Sequence, residues 1–152
     1  MLMLLTACLH RAPASAASMQ GVHAYKIEAF GQTLAGLGVF ASDGDELVFQ
    51  SLTPAGTVLF QVRDTADGDP VVTAPDETMA AMLGRIPWYR DLSLLFRWKC
   101  DETVCSTETG RVRPIEGGLA YRGDGGRASV TDVDDVLELV DPKRRYTLTV
   151  VK

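Results

Sequence analysis

The side chains able to do chemistry here are few: among 152 residues there are three cysteines and two histidines. Cys100 and Cys105 stand in Lys99-Cys-Asp-Glu-Thr-Val-Cys-Ser106, with four residues between them. In an oxidising compartment such a pair can close a disulfide across a turn. Over so short a loop the entropic gain sits at the low end, about 2 kcal/mol. Two thiolates of a zinc site are the alternative, but no second pair exists, and His10 and His23 lie far away near the amino terminus. A dithiol redox motif carries two intervening residues, not four. The spacing favours a structural staple.

Nucleophilic catalysis needs a base beside the nucleophile. His10 falls in a small, polar stretch, and His23 begins a strand candidate, where an exposed edge histidine is expected. Asp132, Asp134, Asp135 and Glu138 read as a solvated turn and strand edge. Asp64, Asp67 and Asp69 surround Gly68 but lack the distal Glu and flanking helices of a calcium loop, so turn chemistry explains them. Gly36-Leu-Gly38 has no following helix and is no phosphate loop. Lys143-Arg144-Arg145 reads as a solvated cluster, with anionic headgroups as its alternative partner. A non-enzymatic protein without metal or cofactor is expected.

The amino terminus supplies a different chemistry. Met1 to Ala7 is almost entirely apolar and leads into Leu5-Thr-Ala-Cys8, which resembles a bacterial lipobox, where cleavage precedes acylation of the cysteine thiol. Residues 1–7 are short for a signal segment and lack a basic flank, which places the start of a full signal upstream. Residues 8–20 then read as lipidated cysteine and flexible tether. Leu9 follows the cysteine; an Asp there would imply inner-membrane retention in enterobacterial lipoproteins, so the resemblance favours the outer membrane, facing the periplasm. Secretory cleavage at Ala14-Ser-Ala16, discarding Cys8, is the rival reading, and a cytoplasmic protein with an apolar start is the bland one.

These groups must be carried by one domain, residues 21–152. Fifteen Lys and Arg against twenty Asp and Glu give a net charge of −5, which argues against a dedicated nucleic-acid binder. A hydrophobic share of 46% excludes wholesale disorder, and no apolar run approaches the roughly 20 residues of a membrane span. A monomer is expected.

The period of two begins near Gly21, where Tyr25, Ile27 and Ala29 alternate with Lys26 and Glu28. Residues 34–40 form a second strand loosened by Gly36 and Gly38, where a bend or close approach is expected. Residues 46–52 follow, and then a strand with Val58, Phe60 and Val62 on one face. A short segment at Val71-Val72 closes this meander. Thr73-Ala-Pro-Asp76 has the form of a capping box, opening a helix with Met79, Met82, Leu83 and Ile86 on one stripe. Gly84 and Pro87 break it, and a second helix carries Trp88, Leu92, Leu95 and Phe96. Alternation returns over 112–115, 119–122, 128–131, 136–140 and 146–151. The expected fold is α+β, about nine or ten antiparallel strands with two central helices.

That order of elements resembles the LolA/LolB-like superfamily, an incomplete, half-open antiparallel β-barrel lidded by helices, and most of all its LolB-type outer-membrane lipoproteins and small relatives. The resemblance rests on Ser51-Leu-Thr-Pro-Ala-Gly-Thr-Val-Leu-Phe60, on Ala74 to Gly84 with Ile86-Pro87 and Leu92 to Trp98, and on Arg145-Tyr-Thr-Leu-Thr-Val150. It implies that acyl chains of a lipid or lipoprotein are bound inside the barrel, for transport or localisation. On this reading Leu37, Val39, Phe49, Phe60 and Val62 line the cavity from the first strands. Met79, Met82, Leu83, Trp88, Leu92 and Leu95 line it from the helices, and Leu119, Tyr121 and Leu148 from the last strands. The alternative is a structural or assembly module of the envelope whose interior is filled by these same side chains. LolB-type proteins carry a bulky apolar residue at the hairpin tip used to push cargo into a membrane; here the tip is Pro54-Ala55-Gly56. Ala55 therefore favours a relative that binds or shuttles another lipid.

Overall fold

A computed structural model of the chain describes residues 21–43, 46–65 and 69–151. Among the described residues eleven strands form one antiparallel sheet. They are β1 Gly21–Ala29, β2 Gln32–Asp43, β3 Glu46–Leu52, β4 Val58–Asp64, β5 Val71–Thr73, β6 Cys105–Ser106, β7 Gly110–Ile115, β8 Gly118–Gly123, β9 Gly126–Val133, β10 Val136–Asp141 and β11 Arg144–Val150. Their order across the sheet is β5-β4-β3-β2-β1-β11-β10-β9-β8-β7-β6. Tight hairpins make this order: Asp134 and Asp135 both take positive φ between β9 and β10, as polar turn residues tolerate. The strand missed by periodicity is β6, two residues long and too short to show a period.

Between β5 and β6 come α1 Glu77–Gly84, α2 Trp88–Leu92 and a π-helical turn, Ser93–Arg97. The chain through these helices thus joins the two edges of the sheet, which do not pair with each other. Asp76 caps α1, its Oδ1 accepting from the Met79 N–H at 2.7 Å. Thr73 ends β5 instead, so the expected capping box starts three residues too early. The second helix is not amphipathic: Arg90, Asp91, Ser93 and Arg97 are buried along with Trp88, Leu92, Leu94 and Leu95.

The sheet is curled, and spacing shows why it must be. β4 and β8 are seven strands apart, about 34 Å in a flat sheet at ~4.8 Å per strand. Yet consecutive residues hold both: Arg97 pairs with Asp64 of β4 at 3.2 Å, and Trp98 stacks on Tyr121 of β8 with centroids 5.6 Å apart. Only a sheet wrapped around the helices brings those strands to neighbouring residues. Close backbone approach goes with this wrapping. A Cβ on Gly118 would lie 1.7 Å from the Val130 carbonyl oxygen, so only glycine fits there.

The inner face holds a single core. Phe49 stacks on Phe40 at 4.5 Å and meets Tyr25 and Phe60 edge-on, while Trp88 reaches Tyr146 across the curl. Ring pairs of this kind add about 0.5–1.5 kcal/mol each beyond their buried area.

Candidate functional site

Ten of the side chains expected to line a cavity are buried in that core: Phe49, Phe60, Val62, Met82, Leu83, Trp88, Leu92, Leu95, Tyr121 and Leu148. Met79 and Leu119 are half-buried at its margin. Leu37 and Val39 are a correction. Register pairs Gly36 with Tyr25 and Gly38 with His23, so the inward positions of β2 are Gly36, Gly38 and Phe40. Leu37 and Val39 point to the opposite face, beside Ala24 and Val22. The glycines are there because rings occupy the space: a Cβ on Gly38 would sit 2.7 Å from the Phe49 ring. Val58 also departs from expectation. The register of β3 and β4 shifts between Ser51 and Leu52, and Val58 is left 47% exposed.

At one margin the core opens to solvent. Between the π-turn and β8–β10 lies a cleft of about 320 Å³. Leu94, Leu95 and Trp98 form one wall and Leu119, Val130 and Leu137 the other, with Lys99, Asp101 and Asp132 at its margin. The size falls at the lower end of small-ligand pockets, and apolar walls meet a polar margin there. Trp98 Nε1 is buried there without a hydrogen-bond partner among the described residues. Leu95 and Leu119 were expected to line a cavity; Leu94, Trp98, Val130 and Leu137 were not. In the structure Val130 and Leu137 take inward positions of β9 and β10, and nothing in the sequence pointed to a π-turn that faces Leu94 and Trp98 the same way.

Two buried polar clusters fasten the helices to the sheet. Asp91, fully buried, accepts from Arg90 Nε and Nη2, from Arg144 Nη2 at 3.0 Å and from the Tyr146 hydroxyl at 2.7 Å. Arg90 Nη2 also donates to Asp141 at 2.8 Å, and Arg90 Nη1 to the Gly125 carbonyl. Two cations and two carboxylates thus balance inside the curl. Burial works against the Arg90 charge, but Asp91 and Asp141 beside it more than restore it and raise its pKa. Burial, with Asp91 close by, pushes the Tyr146 hydroxyl well above its ordinary value. At the other side of the helices Arg97 donates to Asp64 and to Ser93 Oγ.

Three expectations of solvent exposure are thereby overturned. Arg144 is buried in the network, since it shares the inward parity of Tyr146 and Leu148. Asp64 is buried with Phe60 and Val62 for the same reason. His23 is buried too, edge-on to Phe40 with centroids 5.4 Å apart and near Phe96. Its Nδ1 has no hydrogen-bond partner among the described residues. Asp132, Asp134 and Asp135 are exposed as expected.

Cys100 and Cys105 are joined in a disulfide, with Cα atoms 5.8 Å apart. It ties the chain leaving the π-turn to edge strand β6. Pro54, Ala55 and Gly56 are exposed at the tip of the β3–β4 hairpin, where the Gly56 N–H donates to the Thr53 carbonyl. Cys8 lies outside the described residues. Compared with known proteins, the chain matches no family model and no curated sequence.

Proposed function

We propose that this chain is a non-catalytic, lipid-anchored protein of the bacterial outer membrane, facing the periplasm, that holds an acyl chain of a lipid or lipoprotein in the cleft beside Trp98. The observation that carries the reading is the cleft itself: an open gap of about 320 Å³ with Leu94, Leu95, Trp98, Leu119, Val130 and Leu137 on its walls, bounded by the segment that joins the sheet's two open edges. In the LolA/LolB-like reading that segment is the lid. Its position over the inner face supports this role: Asp91 and Arg97 seat it against the sheet through ion pairs, and the disulfide tethers its end. Each methylene buried in such a cleft stabilises by about 0.8 kcal/mol, so micromolar binding, at about 8 kcal/mol, takes about ten of them, fewer than palmitate carries. Cys8 supplies the anchor, on the strength of its lipobox.

A second reading has its own observation. Phe49, Phe60, Val62, Leu83, Trp88, Leu92 and Leu148 are each no more than 2% exposed, so beside β1–β4 and β11 the curl is filled by its own side chains. A protein closed throughout would be an envelope structural or assembly module. A fluorescent fatty-acid probe titrated into the full chain separates the two. The acyl reading predicts saturable micromolar binding, displaced by unlabelled palmitate and lost in Leu137→Trp, which fills the cleft. No displaceable binding overturns it and leaves the structural module.

A further inference from the structure

The opposite face of the sheet carries a feature that acyl binding does not use. Inward positions on β7–β10 are Val112, Tyr121, Ala128 and Leu139, so their strand neighbours point outward. Those outward neighbours include Arg111, Arg113, Arg122 and Arg127, all exposed. Register sets three of them in one row, with Arg111 opposite Arg122 and Arg122 opposite Arg127. They border a groove of about 1040 Å³ floored by Val104, Ala120, Val140 and Pro142. Past Pro142 a second groove of about 580 Å³ continues the tract and adds Arg85 and Lys143.

Like charges directly opposite on a sheet destabilise it. None of the four groove arginines is in an ion pair among the described residues. Among the described residues Asp141 is the only acid lining either groove, and its carboxylate is engaged by Arg90 and Arg144 on the inner face. A chain with five more acids than bases therefore concentrates unpaired guanidinium groups on one open, partly apolar surface. Guanidinium groups grip phosphate oxygens in a planar fork, and a row spanning three strands covers about 10 Å.

We propose that this tract binds the phosphates of an anionic phospholipid surface, seating the outer face of β7–β10 against headgroups. The apolar floor between the arginines suits an amphiphilic surface better than a free anion. The net charge of −5 disfavours a nucleic acid, whose backbone would meet repulsion elsewhere on the chain. The site lies on the face away from the Trp98 cleft and stands independently of it.

The test is vesicle co-sedimentation of the full chain with phosphatidylglycerol vesicles and with phosphatidylcholine vesicles. The preference for the anionic vesicles is the readout, because an apolar amino terminus contributes to both. Each arginine near an anionic surface contributes about fivefold, so Arg111→Gln/Arg122→Gln/Arg127→Gln is expected to cut the preference about a hundredfold. A control removing cations elsewhere, Lys26→Gln/Arg63→Gln, is expected to keep most of it. Thermal unfolding of the triple variant is expected at or above the wild-type temperature, since like-charge pairs are relieved. A wild type with no phosphatidylglycerol preference, or a triple variant that retains it, overturns the proposal. So does pyrophosphate or single-stranded RNA binding to the tract more tightly than the vesicles do.

Discussion

Asp91→Asn is the sharpest perturbation of the link between helices and sheet. The side chain keeps its size and loses its charge, and it is fully buried. Asp91 is the carboxylate shared by Arg90, Arg144 and Tyr146. Without it two guanidinium groups, each under a tenth exposed, are left with Asp141 alone. Breaking a buried ion pair from one side costs about 3–5 kcal/mol, because a charge remains inside without compensation. In a domain of this size that lowers Tm by about 6–20 °C. It is a large share of the 5–15 kcal/mol, roughly, that holds most domains folded. Urea unfolding followed by the fluorescence of Trp88 and Trp98, both buried, measures it directly. Arg144→Met made in the Asp91→Asn background is expected to cost less than Arg144→Met alone, because both remove one interaction. A loss below about 1 kcal/mol for Asp91→Asn, or strict additivity of the pair, would refute the view that this network fastens the helices.

Gly118→Ala is expected to destabilise by about 3 kcal/mol, since the atom struck is the Val130 backbone oxygen, while Gly84→Ala, with nothing within 4 Å, gains about 0.5 kcal/mol; urea midpoints check both. Reducing the Cys100–Cys105 disulfide is expected to cost about 2 kcal/mol, read as a drop in Tm with and without reductant. Stability should fall at both ends of the pH range. Burial would raise the Asp141 pKa, but the Lys143 backbone N–H together with Arg90 and Arg144 outweighs it and holds the carboxyl low. Its contribution is therefore present above the unfolded value of about 3.9 and lost as pH drops further. Tyr146 is raised, by burial first and Asp91 next, so its contribution is present below about pH 10 and lost as pH climbs through the higher folded value. In a Tm profile Tyr146→Phe should flatten the alkaline limb alone.

Alternation made most of the sheet legible, and the same alternation held more than the apolar residues it revealed. Asp64 follows Phe60 and Val62 at spacing two, Asp141 follows Leu137 and Leu139, and Arg144 precedes Tyr146 and Leu148. Each charge therefore faces the core, although a turn composition around it reads as solvated. Burial of those charges depends on partners delivered by α2 and the π-turn from distant positions in the chain, which no local pattern records. In β2 the pattern misleads for a steric reason. The rings of Tyr25 and Phe49 fill the inner face at Gly36 and Gly38, so the apolar side chains Leu37 and Val39 turn outward. The cleft was half legible: Leu95 and Leu119 were readable as inward apolar residues, whereas Trp98 depends on the π-turn. The arginine row was legible in no single segment, since it exists only once β7, β8 and β9 are set in register.

The central claim is that an acyl chain lies against Trp98. Palmitate and a bromine-substituted fatty acid of similar length, each titrated into the full chain, test it through tryptophan fluorescence, because bromine quenches an indole it touches. Saturable quenching by the brominated acid alone is expected in the wild type. In Trp98→Phe, where Trp88 is the remaining tryptophan, that quenching is expected to vanish. Unquenched wild-type fluorescence at saturating acid, or quenching that survives Trp98→Phe, would contradict the account.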